Sequence, residues 1–278
     1  MSTTQPLRTV SRLLAPANRR MLLQWAQDDT LFVFDFDGTL APCVDDPEQA
    51  FMARPTWRAL AALSAMARVA VISGRCQTDL RRRLPAEVAY AIGNHGNEGR
   101  PVENLARRAE HERCCKAWGE QLSLLKATSS QWWANLLSSS IENKGISLSL
   151  HYRHCADPVQ AREILLQFAI SLSPAPQIVD GLSAINLLPP HAHHKSDALT
   201  LLMAHSGCAR ALFVGDDDSD ESAFASAPDH WLTARVGYAG DSCARYRLAN
   251  TREVRTLMEL AARHRQTMKQ QTSPALWP

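Results

Sequence analysis

Two groups of carboxylates follow apolar segments of this sequence, and their side chains suggest the chemistry that the chain could perform. Asp35 and Asp37 come directly after the run Leu31–Phe34, and four further aspartates lie within Asp216–Asp220, after the run Ala211–Val214. Buried parallel strands present their carboxyl ends at one edge of a sheet, so both groups are predicted to meet there. Like charges at such close range are costly unless a cation neutralises them. The pattern therefore predicts a site for a hard divalent cation with oxygen ligands, for which Mg²⁺ is the simplest choice.

The spacing of Asp35 and Asp37 suits two complementary roles on one substrate. Residues two apart in a strand point to the same side, so both carboxylates can face one substrate if the strand continues. One carboxylate could attack while the other transfers a proton to the leaving group. An isolated pair of aspartates is most often a solvated loop, but the string Asp35–Leu40 behind an apolar run favours catalysis. Phe36 is predicted to pack inward, and Gly38 to permit a sharp turn.

The second group of carboxylates supports several interpretations. Asp216, directly after a glycine, is predicted to be a direct metal ligand. Asp217 and Asp220 could serve as an outer ligand, hold metal-bound water, or hold an active-site lysine. For Asp218 and Ser219, capping of the following helix is the better interpretation.

Two further polar residues follow predicted element boundaries. Ser73 follows the apolar strand Val69–Ile72, where a hydroxyl and nearby backbone amides suit a phosphate oxygen, although a serine after a strand is most often a cap. Lys195 begins a predicted helix, where its charge opposes the helix dipole and suggests an anionic partner. A solvated surface lysine is an equally good interpretation. The histidines within His191–His194 are interpreted as an exposed linker rather than a metal site.

Composition narrows the class of protein. The chain has 278 residues, a formal net charge of +2 and 21% charged residues, which favours neither a nucleic-acid partner nor an acidic tail. No apolar segment has the length of a signal peptide or a membrane span, so we expect a cytoplasmic protein without membrane partners. Seven cysteines without a Cys-x-x-Cys pair favour reduced thiols over disulfides or a zinc site. A monomer is the working expectation.

The order of predicted elements indicates an α/β fold with an insert. Apolar strands alternate with helical patterns over residues 31–92 and again over 196–225, as in a Rossmann-like parallel-sheet core. The middle of the chain instead predicts a helix, two strands, a helix and two strands, which describes an α+β cap domain. We expect a discontinuous core of residues 1–98 and 189–278, with a cap of residues 99–188.

Several element boundaries follow from local patterns. The sequence predicts a helix over Leu13–Trp25, a half-exposed strand over Ser147–Tyr152, a hairpin turn at Asp180–Gly181 and a closing helix over Arg252–Arg265. A further helix is predicted over Arg54–Ala67. Its apolar face is expected to consist of Trp57, Leu60, Leu63 and Met66.

The motifs together resemble those of a known superfamily. The segments DFDGTL, VISGR, HHKSDAL and GDDDSDESAF resemble, in order and spacing, the haloacid-dehalogenase superfamily of aspartyl-phosphate phosphatases. The α+β insert is similar to the type-two cap of the sugar phosphatases in that superfamily. The strings His95–Arg100 and Glu142–Arg153 are similar to those of the trehalose-6-phosphate phosphatases, and the similarity spans about residues 31–248.

This resemblance implies roles for the core residues. It implies a Mg²⁺-dependent hydrolase of trehalose biosynthesis that converts trehalose 6-phosphate to trehalose and phosphate through an aspartyl-phosphate intermediate. Asp35 would be the nucleophile, and Asp37 would protonate the sugar oxygen and then activate water. Ser73 and Lys195 would bind the phosphoryl oxygens. The implied metal ligands are Asp35, the backbone carbonyl of Asp37, Asp216 and, further out, Asp217.

The resemblance also implies a substrate-binding surface for a phosphorylated sugar. Arg75 is expected to brace the substrate or the cap, and two residues of the cap hairpin are expected to contact the sugar. The implied substrate-binding residues are Gly74, Arg75, His95, Glu98, Arg100, Glu142 and Lys144.

One departure from the family pattern leaves the substrate open. Leu182, Asn186 and Leu188 stand where the second cap hairpin of these phosphatases usually carries charged residues. Hydrogen bonds to hydroxyls decide sugar selectivity, so a related phosphorylated disaccharide or pseudo-sugar is an alternative substrate. A phosphomutase and a non-catalytic sugar-phosphate sensor are further alternatives. The sensor is disfavoured because both Asp35 and Asp37 are present.

Overall fold

The computed structural model describes residues 11–26, 29–102, 104–128, 141–181, 183–237 and 241–272. Two sheets organise this part of the chain, one of seven strands and one of four. The strands are β1 (Ser11–Arg12), β2 (Thr30–Phe34), β3 (Val69–Ile72), β4 (Tyr90–Ile92), β5 (Ile141–Asn143), β6 (Leu148–His151), β7 (Gln177–Gly181), β8 (Ala184–Leu188), β9 (Arg210–Gly215), β10 (Leu232–Val236) and β11 (Tyr246–Leu248). The helices are α1 (Arg19–Trp25), α2 (Arg54–Ser64), α3 (Gln77–Arg83), α4 (Leu105–Thr128), α5 (Pro158–Ser171), α6 (Lys195–Ser206), α7 (Asp218–Ser226) and α8 (Thr251–Thr272).

The seven-stranded sheet is parallel throughout, with the strand order β1-β11-β10-β9-β2-β3-β4. Its inner strands β2 and β9 are the apolar runs that precede the carboxylates in sequence. Their apolar side chains are buried, as the two covered faces of a parallel sheet require. Phe34 pairs with Val214, so the segments that follow the two strands leave the sheet side by side.

Helices cover both faces of the parallel sheet. On one face, Phe34 of β2 packs with Leu63 of α2 and Leu257 of α8. On the other face, Val33 packs in a cluster with residues of α6 and α7, including Phe224. This three-layer arrangement confirms the predicted α/β class.

The four-stranded sheet is antiparallel and has its own core. Its strand order is β5-β6-β8-β7. Trp118 of α4 and Leu165 of α5 pack with Leu150 and Ile185 of the sheet. The insert is therefore an α+β unit whose apolar cluster is separate from the two clusters of the parallel sheet.

The chain termini differ from the sequence-based prediction. The helix predicted over Leu13–Trp25 is shorter, because a short strand and a single 3-10 turn at Pro16–Asn18 precede α1. The closing helix α8 extends beyond the predicted Arg252–Arg265 to Thr272. Strands β10 and β11 were not predicted; they extend the parallel sheet beyond β9.

Three local predictions were also wrong. Trp57 is 42% exposed rather than part of the buried face of α2, whereas Leu60 and Leu63 are buried as predicted. The strand β6 is buried on both faces, since Ser149 forms a buried hydrogen bond to Asn186. The hairpin strand continues through the predicted turn residues 180–181.

Two further observations concern membrane contact and thiol chemistry. Among the described residues, no helix combines the length and the apolarity that crossing a membrane requires. All seven cysteines are free thiols.

Leu63→Ala should destabilise the fold by about 2–5 kcal/mol, because the truncation leaves a cavity between α2, α8 and the sheet. Trp57→Ala is the matched control and should cost less, since Trp57 is partly solvated. Urea unfolding of both variants measures this difference. An equal or larger loss for Trp57→Ala would contradict this assignment of the core.

Candidate active site

The first carboxylate lies where β2 ends at the sheet edge. The backbone N–H of Asp35 donates to the carbonyl of Val214 at 2.8 Å, which continues the ladder by one residue. Phe36 is buried in the core, which confirms its predicted inward packing. Gly38 turns the chain with φ +80°, and a Cβ there would lie 1.9 Å from Oδ2 of Asp216. Glycine therefore permits both the turn and its close approach to the second carboxylate segment.

Three carboxylates converge at this edge. One oxygen each of Asp35, Asp216 and Asp220 lies within 4.8 Å of the others. Oδ2 of Asp220 accepts from the backbone N–H groups of Asp216 and Asp217 at 3.0 and 3.3 Å. Its Oδ1 accepts from Lys195 at 2.8 Å. Both oxygens of Asp220 are thus engaged, which leaves Asp35 and Asp216 as the side chains best able to hold a cation.

Burial and mutual repulsion control the ionisation of these groups. Burial raises the pKa of Asp216 from 3.8 to about 7, and the charges of Asp217 and Asp220 add to this effect. Burial also raises the pKa of Asp35 well above its usual value, although the nearby Lys195 opposes this shift. A divalent cation would offset the repulsion and favour the ionised carboxylates. The donor set therefore fits a metal ion with oxygen ligands.

Lys195 is the cation within this group of acids. It begins α6 and is 2% exposed, so the alternative of a solvated surface lysine was wrong. Its Nζ donates to Asp35 at 2.7 Å and to Asp220 at 2.8 Å, and lies 3.9 Å from an oxygen of Asp217. Burial disfavours the charged lysine, but these acids outweigh it and raise the pKa of Lys195 well above its usual value.

Asp217 has a structural contact of its own. Its carboxylate accepts from the backbone N–H and the hydroxyl of Ser219, at 2.9 and 2.6 Å, and so caps α7. The capping role predicted for Asp218 and Ser219 therefore belongs to Asp217, with Ser219 as the donor. A cavity lies at this edge of the sheet, lined by residues of both sheets that include Asp35, Asp216 and Lys195. Asp217 lines this cavity but does not join the cluster of three carboxylates.

The segment after β3 forms a second wall of the cavity. Ser73 is buried, lines the cavity and accepts from the N–H of Arg75 at 3.2 Å through its hydroxyl oxygen. Gly74 faces the ring of His95, and a Cβ there would lie 2.7 Å from the ring. The segment therefore presents a hydroxyl and close-packed backbone to the same space as Asp35.

Arg75 is occupied by partners in the core. Its Nε and Nη2 donate to the two oxygens of Asp37 at 2.7 Å each, and Nη1 donates to Asp79 at 2.8 Å. The guanidinium therefore holds Asp37 and also lines the cavity, and its role toward substrate or cap stays a prediction.

The residues predicted from the string His95–Arg100 do not share one place. His95 is buried and lines the cavity, and burial, with the charges of Lys144 and Lys195, lowers its pKa to about 3. Glu98 lies behind the cavity wall, where it accepts from Asn94 and from the N–H of Gln77. Arg100 lines a separate small cavity beside α4. In this structure, Glu98 and Arg100 are not part of the main cavity lining.

The antiparallel sheet supplies the opposite wall. Glu142 and Lys144, the predicted sugar contacts, both line the cavity. Lys144 donates to the backbone carbonyl of Gly74 at 3.0 Å and lies 3.7 Å from Glu142. Glu142 also contacts His151 at 3.0 Å. Charged groups of the α+β insert therefore line the same cavity as Asp35 and Asp216.

Several lining residues were not assigned to the site from the sequence, among them three with polar side chains. Cys43, His151 and Arg153 all contribute to the cavity. A signal was available for two of them, because His151 and Arg153 are two apart at the end of a strand and can face the same side.

The three positions that depart from the family pattern have different surroundings. Asn186 lines the cavity, and its Oδ1 accepts from Ser149 at 2.6 Å. Leu188 is fully buried. Leu182 lies outside the described residues.

The fold and the site place this chain among proteins of haloacid-dehalogenase-like fold. The chain aligns with the C-terminal domain of a C. albicans trehalose-6-phosphate phosphatase with a TM-score of 0.74 and 23% identity, covering 91% of this chain and 98% of that one. A trehalose-6-phosphate phosphatase of Aspergillus fumigatus aligns with a TM-score of 0.58 and 25% identity, covering 91% and 99%.

The family follows from the sequence match. The trehalose-phosphatase family model matches residues 33–243, and the chain belongs to that family. A probable trehalose-phosphate phosphatase of Arabidopsis thaliana is 26% identical over 205 residues, which are 68% of this chain and 54% of the relative. A trehalose-phosphate phosphatase of Mycobacterium bovis is 28% identical over 221 residues, covering 75% and 54%. The chain thus spans about half the length of these two curated relatives.

Gly38→Ala should destabilise the protein by about 1–3 kcal/mol, since a left-handed φ is unfavourable for alanine and its Cβ would collide with Asp216. Gly119→Ala in α4 is the matched control, because a Cβ there meets no atom within 4 Å. It should stabilise by about 0.5–1 kcal/mol. Opposite signs in urea unfolding support the assignment, and a neutral Gly38→Ala would contradict it.

Asp216→Asn should stabilise the metal-free protein at pH 8. The folded-state pKa of Asp216, about 7, lies above the usual 3.8. Its contribution to the free energy of unfolding is therefore fully present below about pH 4 and is lost as the pH rises through 7. Asparagine cannot ionise, so the variant avoids that loss, and its free energy of unfolding at pH 8 should exceed that of the wild type by on the order of 2 kcal/mol.

Unfolding in EDTA at pH 5 and pH 8 measures this effect. Exposed Asp241 supplies the control variant Asp241→Asn, which should show little difference between the two pH values. An Asp216→Asn protein no more stable than the wild type at pH 8 would show that Asp216 is not under charge repulsion.

Proposed function

We propose that this chain hydrolyses trehalose 6-phosphate to trehalose and inorganic phosphate with the help of Mg²⁺. The observation that carries the proposal is the buried contact of Lys195 with Asp35, in a cavity whose opposite wall holds Glu142 and Lys144. A carboxylate nucleophile beside a fixed cation suits phosphoryl transfer, and charged and polar cap residues suit the sugar. Membership of the trehalose-phosphatase family supports the same substrate.

The first half-reaction transfers the phosphoryl group to the enzyme. An oxygen of Asp35 attacks phosphorus, the bond from phosphorus to the sugar oxygen breaks, and Asp37 donates a proton to that oxygen. Trehalose leaves with an intact hydroxyl group, and Asp35 becomes an acyl phosphate. Lys195 and Ser73 would hold the phosphoryl oxygens during the transfer, since both line the cavity beside Asp35.

The second half-reaction releases phosphate. Asp37, now ionised, removes a proton from water, and the resulting hydroxide attacks the phosphorus of the acyl phosphate. The bond from phosphorus to the Asp35 oxygen breaks, phosphate leaves and both carboxyl groups return to their starting forms. Bound at Asp35, Asp216 and the Asp37 carbonyl, with Asp217 further out, Mg²⁺ would supply charge neutralisation for the phosphoryl oxygens.

The proposal includes a division of the chain into a core of residues 1–98 and 189–278 and a cap of residues 99–188. Separate apolar clusters in the two sheets support this division. Both walls of the cavity come from one chain, so a monomer suffices for catalysis. The seven free thiols support a cytoplasmic location.

A related phosphorylated disaccharide is a second candidate substrate. Asn186 lines the cavity with a neutral amide whose oxygen already accepts from Ser149. That side chain has less hydrogen-bonding capacity left for sugar hydroxyls than a free charged group would have. This weakens the case for strict selectivity for trehalose 6-phosphate.

A panel of sugar phosphates, assayed for phosphate release with Mg²⁺ and with EDTA, tests the function. Trehalose 6-phosphate should show the highest kcat/KM, and EDTA should abolish turnover. A higher kcat/KM for another phosphorylated disaccharide would favour the second candidate. Binding of trehalose 6-phosphate without turnover on any substrate would contradict the proposed activity.

Asp35→Asn tests the mechanism in the same assay. Loss of the nucleophile should lower kcat by roughly three orders of magnitude or more. Asp218→Asn is the matched control, because the Asp218 side chain is 82% exposed at the start of α7, and its turnover should stay within about twofold of the wild type. An Asp35→Asn enzyme with normal turnover would end the aspartyl-phosphate mechanism.

A further inference from the structure

The short helix α3 carries an ion-pair chain that leads away from Asp37. Arg75 joins Asp37 to Asp79, with 2.7 Å contacts to both Asp37 oxygens and 2.8 Å to Asp79 Oδ2. Arg83 then donates from Nε to both oxygens of Asp79, at 2.9 and 3.0 Å. The side chains of Asp37, Arg75, Asp79 and Arg83 thus form a chain of alternating charge that leads from the proposed proton donor, Asp37, into the protein interior.

Arg83 anchors the far end of this chain. Its side chain is 3% exposed. Its Nη1 donates to the backbone carbonyls of Glu48 and Ala50 at 3.1 and 2.9 Å, and its guanidinium carbon lies 4.6 Å from the ring centroid of Phe51. A buried guanidinium with several fixed acceptors has little freedom to move, so it gives Asp79 a rigid support.

Arg75 needs such support because of its place at the cavity. Arg75 lines the cavity, and the carboxylate of Glu142 lines the same cavity as a possible competing partner for its charge. Asp79 holds one end of the guanidinium, and the carbonyl of Pro47 accepts from another nitrogen at 2.8 Å. These two contacts fix the plane of the Arg75 guanidinium, which donates to both oxygens of Asp37.

We propose that Asp79 and Arg83 are positioning residues for the proton transfer by Asp37. They act through Arg75, which they hold in the orientation that aims the Asp37 carboxyl group at the sugar oxygen. The inference rests on the proposed function. It adds residues that touch neither substrate nor metal but determine how well the leaving group is protonated.

Two substrates separate this role from a general structural one. Trehalose 6-phosphate releases a sugar alkoxide that needs a proton, whereas p-nitrophenyl phosphate releases a stable phenolate that needs none. Single-turnover experiments with enzyme in excess report the first phosphoryl transfer alone, because release of the alcohol or phenolate precedes hydrolysis of the acyl phosphate. The ratio of the two rates therefore measures protonation of the leaving group.

Asp79→Asn should slow single-turnover release of trehalose about 10- to 100-fold, while release of p-nitrophenolate changes less than about twofold. The enzyme concentration that gives half of the maximal single-turnover rate with trehalose 6-phosphate should stay unchanged. Asp79→Glu keeps the charge and should recover part of the rate. Exposed Arg82 on the same helix supplies the control variant Arg82→Ala, which should match the wild type on both substrates.

Each outcome bears on the inference. Equal slowing of both substrates by Asp79→Asn would overturn it, because that result indicates general damage to the site. Unchanged rates on both substrates would overturn it as well. A wild-type enzyme that releases p-nitrophenolate but no trehalose would instead contradict the proposed substrate, and the inference would fall with it. A loss confined to trehalose 6-phosphate supports it.

Discussion

The ammonium group of Lys195 lies between the carboxylates of Asp35 and Asp220, at a place from which water is almost excluded. Removing one charge from such a buried group leaves the others unpaired, at a cost of several kcal/mol. The contact therefore ties three distant parts of the chain, the end of β2, the start of α6 and the first turn of α7, into one arrangement. The neighbouring ends of β2 and β9 bring several acids together at the sheet edge, and the positive charge of Lys195 offsets part of their mutual repulsion.

The site has two halves with different electrostatics. In one half, the ammonium group of Lys195 contacts Asp35, and the carboxylates of Asp35 and Asp216 could together hold a cation. In the other half, Arg75, in the segment after β3, donates to both carboxylate oxygens of Asp37. The apolar Phe36 separates the two acids in sequence and is buried in the core. One short segment can therefore place two carboxyl groups in different surroundings, which distinct catalytic roles require.

The antiparallel sheet completes the cavity through contacts with backbone carbonyls. Lys144 reaches the carbonyl of Gly74, and Arg153 reaches that of Val44 at 2.7 Å. These contacts join the α+β insert to the parallel-sheet part of the chain without using the carboxylates of Asp35, Asp37 or Asp216.

The sequence by itself determined the parallel sheet, the α+β insert and the two aspartate segments, since apolar runs and strand–helix alternation report burial directly. It could not decide whether Lys195 was solvated or buried, or which acid held it, because those properties depend on packing between α6 and α7. The family resemblance implied that Glu98 and Arg100 bind substrate, but it could not show where each side chain lies: Glu98 contacts Asn94 and Gln77, and Arg100 lines a separate cavity. The tertiary structure decided these points because burial and ion pairing arise from residues far apart in the chain.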